Sequence, residues 1–355
     1  MPAAAWKIVL SLETSNFGSA LPTDSIHLDS MNVPHSPSRS RIGYPLFDFQ
    51  VNGFAGVDFQ SDALSADDLS HAVRALRTDG VGGILLTLIT DAESTLCARF
   101  RKVEGYRRSD PRIAAIIRGY HLEGPWLNPE PGFCGAHPAA AMGPPSIDAF
   151  DRLQEAAGGG IRLVTLAPEW PGSTLVIEAL MARKVQVSLG HTNASHEQID
   201  AAVRAGAAFC THLGNGVPNL LPRHDNVIQR LLARDELTAC FIPDGIHLPP
   251  FVLRNFFRAK PPGKVLFTTD AMSAAGSPPG RFRIGHMEVT VGSDGIVRGP
   301  HGGFAGSSLT PSQGVERAAG ILALTQAESR AIWSERSWNA FGLVPDAEPF
   351  TGTPT

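Results

Sequence analysis

From Phe47 onward, short apolar runs alternate with segments whose apolar positions recur every three or four residues. The runs Phe47 to Val51, Gly83 to Ile89, Ala114 to His121, Ile161 to Ala167, Val185 to Leu189, Ala207 to Cys210, Ala239 to Ile242 and Val265 to Thr269 have the length and continuity of buried strands. Between them the spacing predicts helices over Ser65 to Thr78 and near 92–105, 148–157, 173–183, 195–205, 225–234 and 249–258. Ser65 stands where it can cap the first of these, with Asp67 and Asp68 at the positive helix end. Strand–helix alternation predicts a parallel sheet. Eight such strands favour an α/β fold of the (β/α)8, TIM-like barrel class over an open doubly wound sheet. No GxGxxG follows the first strand, which speaks against a dinucleotide-binding domain.

The pattern changes at both ends. Residues 13–45 are rich in Ser, Pro and Asn, so residues 1–45 read as a weakly structured arm. After the eighth strand, Phe282-Arg283-Ile284 and Met287 to Val291 alternate, and Gly292-Ser293-Asp294-Gly295 turns the chain into Ile296-Val297. This predicts a β-hairpin insertion at about 281–300, ahead of a last helix that begins near Thr310. The barrel is expected over 46–343 and a Pro- and Thr-rich tail over 344–355.

Composition excludes several functions without choosing one. The 355 residues are 43% hydrophobic and 18% charged, enough to fill a large core. A net charge of −4 gives no basic footprint for nucleic acid and no polybasic membrane anchor. No apolar run reaches the roughly 18 residues of a membrane span, and Ala3 to Leu12, broken by Trp6 and Lys7, is a poor signal peptide. A cytoplasmic protein is expected. The four cysteines are widely spaced, with no CxxC pair, so neither a disulfide framework nor a cysteine metal site is expected.

The candidate chemistry lies at the strand ends, which in a parallel barrel share one face. Val185 to Leu189 ends on Gly190-His191-Thr192; Ser195 caps a helix closed by Gly206; the next strand ends on Thr211-His212. Two successive strand–helix units thus deliver one histidine each. The first strand ends in Asp48-Phe49-Gln50-Val51-Asn52-Gly53, the third in His121-Leu122-Glu123-Gly124-Pro125, the seventh in Pro243-Asp244-Gly245-Ile246-His247 and the eighth in Thr268-Thr269-Asp270. Glu123, His191 and His212 make a two-nitrogen, one-carboxylate set of the kind that holds catalytic zinc and leaves an open position. Asp270 beside it could take a proton from water and pass it on. Singly, Glu123 could cap a turn and Asp270 a helix; together at four strand ends they point to a site.

In combination these fragments resemble the N-acetylglucosamine-6-phosphate deacetylase family of the amidohydrolase superfamily. Asp48-Phe49-Gln50-Val51-Asn52-Gly53-Phe54-Ala55-Gly56-Val57-Asp58-Phe59 is similar to its first-strand motif. His121-Leu122-Glu123-Gly124-Pro125, Gly135-Ala136-His137-Pro138, Leu189-Gly190-His191-Thr192, Thr211-His212-Leu213, Asp244-Gly245-Ile246-His247, Thr269-Asp270-Ala271 and Ala305-Gly306-Ser307-Ser308-Leu309 follow in the family's order. The resemblance covers roughly 46 to 342. It implies a hydrolase acting on an N-acetyl amino sugar, most simply converting N-acetylglucosamine 6-phosphate to glucosamine 6-phosphate and acetate. Glu123, His191 and His212 would hold one divalent metal ion, with zinc the first candidate and iron the second. Asp270 would act as base and then acid, His137 would stabilise the oxyanion, and His247 would contact the sugar. Gln50 and Asn52 stand where two-metal relatives carry paired histidines, which implies a single metal.

The chain also departs from the family. Phosphate binding is implied for Asn215, Gly216 and an arginine that often reaches from a neighbouring subunit, which would require a homodimer. Arg223 has a fitting position, but Leu221-Pro222-Arg223-His224-Asp225-Asn226 differs from the usual Arg-Glu-Pro-Gly, and Asp225 or Asn226 could equally cap a helix. The family's β-sandwich, built from both chain ends, is expected to be reduced or absent. An amidohydrolase of another N-acyl or cyclic amide substrate, and a non-catalytic sugar-phosphate binder, are the alternatives.

Overall fold

The computed structural model describes residues 43–300 and 302–346. The expectations for the N-terminal arm up to residue 42, and for the tail from 347, lie outside the described residues. Eight parallel strands pair in chain order: β1 (Leu46–Val51), β2 (Val81–Ile89), β3 (Ile117–Glu123), β4 (Ile161–Leu166), β5 (Gln186–Leu189), β6 (Phe209–Cys210), β7 (Thr238–Phe241) and β8 (Val265–Phe267). The seam between β8 and β1 closes without a regular ladder, through a parallel bridge between Val51 and Ala271 and through Asp48. The Asp48 carboxylate accepts from the hydroxyls of Thr268 (2.5 Å) and Thr269 (2.6 Å). A (β/α)8 barrel is therefore the fold, as the alternation predicts.

The helices between the strands follow their capping signals. α1 (Ala66–Thr78) begins on a capping box made by Ser65 and Asp68, and buries Leu69, Ala72, Val73 and Leu76 on one face. α2 (Glu93–Ser109) leads into α3 (Pro111–Ile116), which takes up Ala114 to Ile116 of the apolar run expected to form the third strand. Asp110 caps α3 through the backbone N–H of Arg112, and Pro111 takes the first turn, where no N–H is needed. That start signal prevails over the apolar run Ala114 to Ile116, so β3 begins only at Ile117. α4 (Ile147–Ala156) and α5 (Ser173–Ala182) precede α6 (His196–Ala205), which runs from a Ser195 capping box to Gly206 at φ 115°. α7 (Val227–Leu232) is capped by Asn226. α8 (Pro250–Ala259) and α9 (Pro311–Leu322), the latter capped by Thr310, complete the ring.

One end of the barrel is plugged. Phe47, Phe49, Leu85, Leu163, Phe209, Cys240 and Leu266 pack inside it with Trp338 and Phe341. The Trp338 indole N–H donates to the carbonyl of Pro45, just before β1, so this plug marks the N-terminal ends of the strands. The opposite, carboxyl end is left for chemistry. Three antiparallel strands, β9 (Gly280–Ile284), β10 (Met287–Val291) and β11 (Val297–Arg298), form the expected insertion and lean on that end through Ile89, Met272 and Ala305. Besides these sheets, the described residues hold a two-residue ladder, Gly53–Phe54 with Val57–Asp58, and no β-sandwich. No described helix is long and apolar enough to cross a membrane.

Candidate active site

Four strand ends bring the candidate ligands together. Glu123 is the last residue of β3, while His191, His212 and Asp270 follow β5, β6 and β8. The last three occupy left-handed backbone, at φ 50°, 27° and 51°. Such conformations cost non-glycine residues on the order of 1–3 kcal/mol each and persist where the surroundings enforce them. Here they turn three side chains inward from strands that would otherwise carry them past the mouth.

His212 Nε2 lies 3.2 Å from both His191 Nε2 and Glu123 Oε1, and His191 Nε2 lies 3.5 Å from that same oxygen. The candidate ligand atoms of the three residues all fall within 4.8 Å of one another. His191 Nδ1 donates to the carbonyl of Phe133 at 2.7 Å, which leaves Nε2 with its lone pair facing the cluster. Glycine is required around this ring. Gly135 (φ 55°) and Gly216 (φ 62°) approach so closely that a Cβ would sit 2.9 and 2.8 Å from it.

The cluster fits a cation. One proton on His212 Nε2 can serve only one of its two neighbours, so lone pairs converge without enough donors. All three residues are at most 6% exposed, so their unmatched lone pairs carry a desolvation cost that a cation offsets. Burial alone would raise the Glu123 carboxyl, but the imidazoles of His191 and His212 set against it hold it well below its usual range. Burial would lower His212, yet the Glu123 hydrogen bond and charge raise it. Two imidazoles and a carboxylate are a donor set suited to zinc and to iron.

Asp270 stands beside the cluster under control of the first strand. The Gln50 side-chain amide donates to Glu123 Oε2 at 3.0 Å and to Asp270 Oδ1 at 3.1 Å, and Asn52 Nδ2 donates to the same Asp270 oxygen at 2.7 Å. Burial, then the negative charge of Glu123, push the Asp270 carboxyl up to about 6. The amide oxygens of Gln50 and Asn52 are buried with no partner among the described residues.

His137 approaches from the loop after β3. Its Nδ1 accepts from the backbone N–H of Thr90 at 3.3 Å, so Nε2 carries the proton, 3.9 Å from Glu123 Oε2. Burial, then the charge of His191, lower its pKa to about 3, so the ring is neutral. His247 is set by the opposite arrangement: Nδ1 donates to Asp244 at 2.6 Å, leaving Nε2 as an acceptor. Its ring packs 4.9 Å from Phe304.

These groups open into a cavity of about 590 Å³ lined by Asn52, Glu123, His137, His191, His212, Asn215, Gly216, His247 and Asp270 among others. The cavity thus gathers every candidate except Arg223, which is exposed and absent from its lining. Asn226 caps α7, and the neighbouring Asp225 pairs with Arg230 at 2.6 Å, so Asp225 is held away from the cavity rather than against it. The sequence reading missed Phe304, Ile284 and Asn219, which line the cavity from the hairpin side and the loop after β6. Only the Gly302-Gly303-Phe304 run, an aromatic after flexible glycines, offered a local signal.

A parallel barrel with a carboxylate–imidazole cluster at its carboxyl end defines a hydrolase of the amidohydrolase type. No protein-family model matches the chain. It is 33% identical over 283 residues to an N-acetylgalactosamine-6-phosphate deacetylase of Escherichia coli, covering 79% of this chain and 73% of that protein. An N-acetylglucosamine-6-phosphate deacetylase of Bacillus subtilis is 29% identical over 311 residues, 87% of this chain and 77% of its own. The bovine N-acetylglucosamine-6-phosphate deacetylase is 38% identical over 272 residues, of which the match spans 61% of the bovine length. Among solved structures, a Mycobacterium smegmatis mutant in complex with N-acetyl-D-glucosamine-6-phosphate superposes with a TM-score of 0.76 at 29% identity, over 84% of this chain and 77% of that one. The chain belongs to the N-acetylglucosamine-6-phosphate deacetylase family.

Proposed function

We propose that this protein is a metal-dependent deacetylase that hydrolyses N-acetylglucosamine 6-phosphate to glucosamine 6-phosphate and acetate. One observation carries the reading: the ligand atoms of Glu123, His191 and His212 converge within 4.8 Å of one another, in a cavity that Asp270 and His137 also line. Glu123, His191 and His212 would hold a divalent cation, which when bound lowers the pKa of water and polarises the amide carbonyl. Asp270 accepts the proton of the attacking water and delivers it to the nitrogen of the leaving amine. The Gln50 and Asn52 amides hold the Asp270 carboxylate in line while this proton moves. His137 donates from Nε2 to the oxygen that gains charge as the carbonyl becomes tetrahedral. His247 accepts from a sugar hydroxyl, oriented by Asp244.

Phosphate recognition divides between near and far groups. Asn215 and Gly216 line the cavity; the Asn215 N–H is taken by the carbonyl of His212 at 3.0 Å, which leaves the backbone N–H of Gly216 to offer to an anion. Arg223 lies outside its own chain's cavity, so it can serve the phosphate only across an interface between two copies. This reading requires a homodimer.

The test is acetate release by zinc-reconstituted protein, with N-acetylglucosamine 6-phosphate beside the unphosphorylated sugar and N-acetylgalactosamine 6-phosphate. Preferential release from the first supports the reading. Equal rates with and without phosphate would remove the phosphate site, and preference for the galactose epimer would reassign the sugar. The binder alternative has nothing to recommend it, since binding needs no buried acid–base group such as Asp270.

A further inference from the structure

A second cavity, of about 400 Å³, lies behind one wall of the reaction cavity. Ile89, Gly135, Ala136, His137 and Ile284 line both, so they form the partition between them. Beyond the partition the lining continues through Pro138, Met287 and Pro300. Its charged members gather in one corner: Arg99 Nη1 lies 2.9 Å from Asp91 Oδ2 without hydrogen-bond geometry, and His286 Nε2 lies 3.4 Å from the same oxygen. Away from that corner the lining is mostly apolar, and nothing in the proposed reaction uses that surface.

The partition is fixed in place from both sides of Ile284. The Ser273 hydroxyl donates to the carbonyl of Arg283 at 2.7 Å, and the N–H of Gly285 donates to Asp58 Oδ2 at 2.8 Å. Ile284 is itself 5% exposed and packs with Ile89, Met272 and Ala305. His137 reaches the same region through Thr90, which lines the second cavity.

An N-acylhexosamine phosphate has one apolar end, the acyl chain. With its carbonyl between Asp270 and His137 Nε2, the apolar surface beside that carbon is the Ile89–Ala136–Ile284 wall. We propose that Ile284, with Ile89, sets the acyl length this enzyme accepts by closing the second cavity, and that shortening Ile284 admits linear N-acyl chains longer than acetyl. The inference rests on the deacetylase reading and names its acyl specificity.

The experiment compares kcat/KM for N-butyryl- and N-acetylglucosamine 6-phosphate in the metal-loaded wild type and in Ile284→Ala, Ile284→Val and Ile284→Ala/Met287→Trp. Wild type favours acetyl. Ile284→Ala raises the butyryl-to-acetyl ratio about tenfold or more, the scale on which one methylene is discriminated in an apolar pocket. Ile284→Val raises it less, and carries the test if the alanine variant does not fold. Met287→Trp fills the second cavity and returns the ratio toward wild type without slowing acetyl release. An unchanged ratio in the Ile284 variants that still release acetate overturns the inference, as does a gain that survives Met287→Trp. Failure of the wild type to release acetate at all instead removes the deacetylase reading, and this inference with it.

Discussion

Within a few residues of the loop after β6 the chain passes from one style of construction to another. His212 is 4% exposed, turned inward by a left-handed backbone, and held against Glu123 and His191. Leu220 is 90% exposed, and Arg223 extends from the same loop without a hydrogen bond or ion pair to any described residue. The groups assigned to bond making are complete within one chain and locked by its packing. The groups assigned to phosphate are partly loop backbone and partly an arginine that its own cavity does not use. A site that must stabilise a transition state needs preorganised dipoles. A site that grips a charged handle can be assembled from mobile parts, or from two copies.

The first way to break this comparison is to remove a cluster member. Glu123→Gln takes the only carboxylate from the convergent set and leaves two imidazoles for the cation. Stoichiometric metal, measured by elemental analysis, should be lost with nearly all acetate release, and dialysis of the wild type against a chelator should reproduce the loss. Full metal content with full activity in Glu123→Gln would place the reaction elsewhere.

A smaller effect is expected one layer back. Gln50→Leu removes the donor shared by Glu123 and Asp270. Losing a hydrogen bond to a charged group costs about 1.5–3 kcal/mol, so kcat should fall by about 10–100-fold. Steady-state kinetics with metal content held at wild-type level checks this; an unchanged kcat would mean that Asp270 needs no holding. On the recognition side, Arg223→Ala should raise KM for the phosphorylated sugar about tenfold, the weight of a single charge-assisted hydrogen bond, while kcat holds. Sedimentation should find a dimer in both proteins. A monomeric wild type with the same KM as the variant would remove Arg223 from the site.

The smallest expected effect concerns the seam and leaves turnover untouched. Burial, against hydrogen bonds from Thr268 and Thr269, raises Asp48 from 3.8 to about 6. The folded chain therefore holds this proton more tightly than the unfolded chain does. The stabilisation is fully present below pH 3.8 and is lost as pH rises through about 6. Asp48→Asn has no such proton, so its stability relative to wild type should improve between pH 4 and 7 in urea denaturation. A constant difference across that range would contradict the assignment.

What the sequence revealed and what it hid divide along a similar line. His191 and His212 could be read because each ends a short apolar strand and is followed by a capped helix, a pattern confined to one strand–helix unit. Asp110-Pro111 carried an equally local helix start, and the apolar run after it still drew the third strand three residues too early. The Gln50 amide could be named as a replacement for a metal ligand, but not as a bridge between Glu123 and Asp270, because those carboxylates meet only when β1, β3 and β8 are closed into a barrel. Ile284 was invisible for the same reason: its place on the cavity wall depends on how the β9–β11 sheet leans on the mouth. The exclusion of Arg223 from the cavity could not have been read from its spacing to His212, since the loop between them has no periodic restraint.

The most direct test of the central claim, that this cavity deacetylates with Asp270 as its proton carrier, uses Asp270→Asn with its metal bound. Titration calorimetry with N-acetylglucosamine 6-phosphate should find affinity within a few-fold of the wild-type KM. Acetate release should fall by about a thousandfold or more, near the upper range for a general acid–base group. Wild-type turnover by the asparagine variant would contradict the account, because no other described carboxylate stands beside the cluster to take the proton.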